Sequence, residues 1–105
     1  MKVVTTYLSD GKTIGGYCIQ CPGCEDVHIL DLRWTFNGNF DKPTFTPSLK
    51  CEWDWGEKHE HRVCHSFITD GNIQFLSDCT HKLKGQTVPL PENYWPDENN
   101  QKESL

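Results

Sequence analysis

The residues of this chain that could do chemistry are chiefly its six cysteines and five histidines. Cys21-Pro22-Gly23-Cys24 spaces two thiols as a metal knuckle does: proline fixes one turn, glycine permits the tight return, and both sulfurs converge on one ion. A pair supplies half of a tetrahedral site. Cys64-His65 and Cys79-Thr80-His81 lie downstream at a separation that suits a split zinc site, so the expected ligands are Cys21, Cys24 and Cys64 with one imidazole. On a strand Cys64 and His65 point to opposite faces. The fourth donor is then His65 through a bulge or His81 from a following turn, with the geometry leaning to His81 and Cys79 as a rival thiolate. Cys18 and Cys51 read as small buried hydrophobes, and His59 and His61 as solvent-facing.

Whichever of His65 and His81 is left over gains interest from Asp78, because a nearby carboxylate orients an imidazole and makes it more basic. Asp78 also has a structural reading as an N-cap. His28 and Asp78 are the candidate catalytic residues, and Thr44 and Ser48 add hydroxyls, Ser48 in a loop held by Pro43 and Pro47.

Short strands must position these groups. Residues 3–8 and 13–19 flank Ser9-Asp10-Gly11-Lys12 as a hairpin; residues 27–32 alternate, placing His28 beside Leu30 and Leu32. Residues 43–48 are expected to form an extended, ordered loop because two prolines interrupt them. In residues 49–55 Leu49, Cys51, Trp53 and Trp55 alternate with Lys50, Glu52 and Asp54, predicting a half-buried strand with both indoles inward. Residues 63–68 and 73–76 flank Asp70-Gly71, predicting a hairpin with Ile68 opposite Ile73. Ser77-Asp78 before residues 79–84 and Gly85 reads as one capped helical turn, and residues 87–90 as a last strand.

The expected architecture is therefore mostly β, a small α+β domain of antiparallel hairpins with one short helical turn, stapled by zinc. It should span residues 1–95 and leave 96–105 as a flexible tail. With 105 residues there is room for one domain, and a chain of this size buries only about 65% of its unfolded surface, so a metal staple is a natural supplement. No apolar run approaches the roughly 20 residues of a membrane span, and Met1-Lys2 leads into an alternating segment rather than an export-signal core. A soluble cytoplasmic protein is expected, in a reducing compartment where disulfides are rare. A formal charge of −5 argues against direct nucleic-acid binding.

Several separated motifs resemble one known family. These are Cys21-Pro22-Gly23-Cys24 with His28, Trp34, Asn37-Gly38, Pro43-Thr44-Phe45-Thr46-Pro47-Ser48, Cys64-His65-Ser66-Phe67, Gly71, and Asp78-Cys79-Thr80-His81 with Gly85-Gln86. Over residues 17–91 the chain is similar to a family of small phage and prophage proteins whose members sometimes carry the label ammonia monooxygenase. This chain is too short and polar for a multi-subunit membrane oxygenase. The resemblance implies an intracellular phage setting in a bacterial host and a cysteine–histidine zinc site, without implying a reaction. Look-alike domains accompany bacterial ubiquitin-like conjugation operons, which makes interference with host defence an expectation by association.

Three functions compete. A zinc-stabilised binding module would act through contact with a host or phage protein, with Trp34, Trp53, Trp55 and Trp95 as possible anchors. A zinc-dependent hydrolase would keep an open metal position, although neither His-Glu-x-x-His nor the His-x-Glu half of a deaminase signature is present. An acidic nucleic-acid mimic is the third; its charge is equally explained by solubility. The first is the expected function.

Overall fold

The computed structural model describes residues 1–92, and within them the chain is all-β. The eight strands are β1 (Val4–Tyr7), β2 (Ile14–Cys21), β3 (Asp26–Asp31), β4 (Thr35–Phe36), β5 (Phe45–Trp55), β6 (Glu60–Thr69), β7 (Asn72–Phe75) and β8 (Thr87–Pro89). They form two antiparallel sheets, ordered β1-β2-β3 and β4-β5-β6-β7-β8. No helix among the described residues is long and apolar enough to cross a membrane.

The period-two pattern decides which faces meet. In β3 His28 and Leu30 are buried while Val27 and Ile29 are exposed, and in β6 and β7 Cys64, Ser66, Ile68, Ile73 and Phe75 are buried. These inward sets join Val3, Ile19, Leu49 and Leu90 in one core between the sheets. A ring cluster closes one end: Tyr17 of β2 lies 4.6 Å from Phe36 of β4, and Phe36 stacks on Phe45 of β5 at 4.7 Å. Ile68 pairs with Ile73 across the Asp70-Gly71 turn, as the sequence predicts. Both turn residues have positive φ, 50° and 81°, which suits the right-handed twist of the flanking strands.

Three expectations are corrected. Residues 45–48 belong to β5 rather than to a loop; the ladder tolerates Pro47 because β4 pairs only with Phe45 and Thr46, and the β5–β6 register shifts between Phe45 and Leu49. The Thr46–Pro47 peptide is cis. Trp55 is exposed, with its ring face against the Arg62 guanidinium, so only Trp53 of that pair packs on the core. The expected helical turn at residues 79–84 is a series of tight turns. The Thr80 N–H bonds across to the Val63 C=O at 2.9 Å, and Lys84 and Gln86 donate three residues back to His81 and Leu83, so no helical ladder forms. The 95/96 boundary, the tail and Trp95 lie outside the described residues.

This division of β3 and β7 predicts a contrast. Ile73→Ala removes a fully buried side chain and is expected to cost about 2–5 kcal/mol, whereas exposed Ile29→Ala should stay within about 0.5 kcal/mol. Urea unfolding of both variants measures it.

Candidate metal centre and candidate active site

The knuckle follows the end of β2, and β3 then returns antiparallel with Ile19 opposite His28. That pairing brings His28 back over Cys21 and Cys24. Cys64 arrives from β6 of the other sheet, and the four potential ligand atoms of Cys21, Cys24, His28 and Cys64 all lie within 4.8 Å of one another. Cys21 and Cys64 Sγ are 3.8 Å apart. Two thiolates at Zn–S distances of about 2.3 Å on a tetrahedron stand about 3.8 Å apart, so the spacing fits one shared ion. His28 is 8% exposed; its Nδ1 faces Cys51 Sγ at 3.5 Å, while its Nε2 is buried without a hydrogen-bond partner. A buried orphan nitrogen beside three thiols is what a metal ligand looks like without its metal.

The thiols also share charge unevenly. Hydrogen bonding from Cys24 and then Cys64 holds the Cys21 thiol far below its ordinary range, while hydrogen bonding with Cys21 and then Cys24 pushes Cys64 up. Burial pulls the His28 imidazole down, but its thiol partners outweigh that and raise it to about 12.

His28 thus joins the three cysteines in a four-donor group, where the sequence reading expected His81 or His65. His81 instead lies with Cys64 and Cys79 in a second, three-membered group. Its Nδ1 accepts the Leu83 N–H at 3.3 Å, and its ring packs edge-on to Phe75 and against Gly23, where any Cβ would overlap it. The cluster at Cys21 therefore has four donors and the one at His81 has three; His81 Nε2 is, like His28 Nε2, buried without a partner, while Cys79 Sγ is engaged elsewhere, 3.2 Å from both the N–H and the C=O of His65.

His65 is on the other face of β6, with no bulge to turn it inward. Its Nδ1 is 3.1 Å from Asp78 Oδ2 and its Nε2 is 3.2 Å from Ser48 Oγ. A carboxylate only accepts, so Nδ1 carries the proton, Nε2 accepts, and the Ser48 hydroxyl donates to it. Each member of this line is positioned by backbone. Lys50 pairs with His65 across β5–β6, which puts Ser48, two residues earlier, on the same face. The Trp34 indole N–H donates to the Ser48 C=O at 3.3 Å. The turn carrying Asp78 is tied along β6 on both sides: Leu76 N–H donates to the His65 C=O, and Thr80 N–H to the Val63 C=O, each at 2.9 Å. Lys50 Nζ adds a distant contact to Asp78 Oδ2 at 3.9 Å.

The structure thus separates the expected site residues into two groups. Asp78 joins His65, Cys21 and Cys24 join Cys64 and His28, and His28 does not approach Asp78's group. Ser48, a spare hydroxyl in the sequence, is the member whose partner the sequence did not name. The signal for it was the pairing of β5 with β6, which sets Ser48 and His65 on one face. Thr44, the other spare hydroxyl, accepts the Asp70 N–H and is used structurally.

The grouping predicts that the purified protein carries one metal equivalent by elemental analysis. Cys21→Ser and His28→Ala should each abolish it, while His81→Ala and His65→Ala should retain it.

Residues 1–76 match the family model described as bacterial ubiquitination-like system serine protease (BubE), a stretch that contains Ser48, His65 and the four clustered donors and stops two residues before Asp78. No curated protein and no solved structure matches the chain. With most of its length covered by that one description, the chain belongs to the BubE family.

Proposed function

We propose that this protein is a serine hydrolase of the peptidase type, acting within a bacterial ubiquitination-like system, with Ser48 as nucleophile, His65 as general base and Asp78 as the group that orients His65. The observation that carries this is the unbroken line from Ser48 Oγ through both ring nitrogens of His65 to Asp78 Oδ2, at 3.2 and 3.1 Å. Such triads are recognised by geometry and role, since unrelated folds place the three residues in different chain orders. The family description, which names a serine protease, supports the same reading.

In the first step Ser48 Oγ attacks the substrate carbonyl carbon while His65 Nε2 takes the hydroxyl proton; Asp78 holds the Nδ1 tautomer and stabilises the imidazolium. His65 then gives that proton to the leaving amine or alcohol as the bond to it breaks, leaving an acyl ester on Ser48. Water, deprotonated in turn by His65, releases the acid and restores the hydroxyl.

Cys21, Cys24, Cys64 and His28 would hold a Zn²⁺ ion. Three thiolates and one imidazole fill a tetrahedron, so the ion's contribution is structural, and Cys64 transmits it directly to the strand carrying His65. This reading replaces a hydrolase with an open metal position. It also gives a chemical form to the protein contact expected from sequence: the partner in a phage or host setting is a substrate chain. The acidic character of the chain is left as a solubility feature.

An alkyl fluorophosphonate should label Ser48 in the intact, metal-loaded protein. Ser48→Ala should lose labelling with fold and metal content retained, and Asp78→Asn should slow it by about 10³–10⁴-fold. A wild-type protein that takes no label, or a Ser48→Ala variant that labels normally, would sink the proposal.

A further inference from the structure

The triad runs across the strands rather than along them. Asp78 lies on the β7 side of β6, His65 is on β6 and Ser48 is on β5, so the line points at whatever lies beyond β5. Beyond β5 the sheet is incomplete. β4 pairs only with Phe45 and Thr46, and from Leu49 onward β5 is paired on its β6 side alone.

The backbone groups left on that edge follow from the ladder. His65 and Val63 give their C=O groups to Leu76 and Thr80, away from β5. In an antiparallel ladder their opposite residues, Lys50 and Glu52, then turn N–H and C=O away from β6, and alternation adds Asp54. The Ser48 C=O, bonded to the Trp34 indole, faces the same way. Among the described residues, no backbone or side-chain partner meets the N–H or C=O of Lys50, Glu52 or Asp54. All three are exposed. Their charged side chains discourage permanent pairing with another hydrophobic edge.

We propose that this open edge of β5 binds the substrate main chain as an added strand, so that the acyl side of the scissile bond is an extended, unfolded peptide segment. A strand added there would lie about 4.8 Å from β5, next after Ser48 in the line that runs from Asp78 through His65. Phe67, 43% exposed and on the same face of β6 as His65, offers an apolar neighbour to substrate side chains at that end. The proposal rests on the serine-hydrolase reading and adds the substrate class: a flexible tail or unfolded segment, in preference to a folded surface.

The test compares one phosphonate warhead carried on trialanine, on backbone N-methylated trialanine, and on a plain alkyl chain, each reacted with the intact metal-loaded protein. Trialanine should accelerate Ser48 modification at least 10-fold over the alkyl chain, and N-methylation should remove the gain. Glu52→Pro, which deletes an outward N–H while sparing the β6 ladder, should lower the trialanine advantage with the alkyl rate and metal content as references for folding. Equal rates for trialanine and alkyl reagents, or an advantage that survives N-methylation, overturn the edge proposal with the triad intact. Failure of all three reagents to modify Ser48 overturns the hydrolase reading itself. A wild-type dimer that dissociates in Glu52→Pro, seen by sedimentation velocity, would assign the edge to a second copy and overturn substrate binding there.

Discussion

The convergence of Cys21, Cys24 and His28 on Cys64 is the contact on which the arrangement depends. Three donors belong to the small sheet and its knuckle, and the fourth belongs to the larger sheet. A chain this short has a limited core, here Val3, Ile19 and Leu30 against Phe45, Leu49, Ile68, Ile73 and Phe75, and a metal held by this cluster would add a cross-link where apolar area is scarce.

β6 carries that constraint to the opposite side. Cys64 enters the cluster between the sheets, and His65, one residue on, faces outward to Ser48 and Asp78. Two sites with different chemistry therefore share a single stretch of backbone. The Cys79 sulfur caps the same stretch by meeting both the N–H and the C=O of His65, which fixes the turn that presents Asp78. Strand, cluster and turn restrain one another, so the imidazole has little freedom to swing away from its partners.

Much of this was legible in the residues. Alternation through Cys64-His65-Ser66 already separates the thiol from the imidazole, and Asp-Gly at 70–71 sets the register that buries Ile68 and Ile73. Cys-Pro-Gly-Cys announced half of a metal site. What spacing could not supply was the identity of the fourth donor, because His28 meets Cys64 only through the packing of two sheets that share no strand. Ser48 stood out as a hydroxyl, but its pairing with His65 was hidden for a related reason: Pro47 argued for a loop, whereas the register shift before Leu49 lets that segment stay in the ladder and turns its hydroxyl toward β6. The helical reading of residues 79–84 failed because local propensity competes with bonds to β6, and the Thr80 N–H was taken by Val63.

Ser48 and His65 sit on neighbouring strands of one ladder, with no lid or mobile loop between them. Their separation is set by the same hydrogen bonds that close the sheet, so nothing less than opening that sheet can pull them apart. On heating, the loss of the Ser48–His65 contact should therefore trace the same curve as the loss of β structure, without an earlier stage, and its lifetime becomes a question of unfolding rate alone.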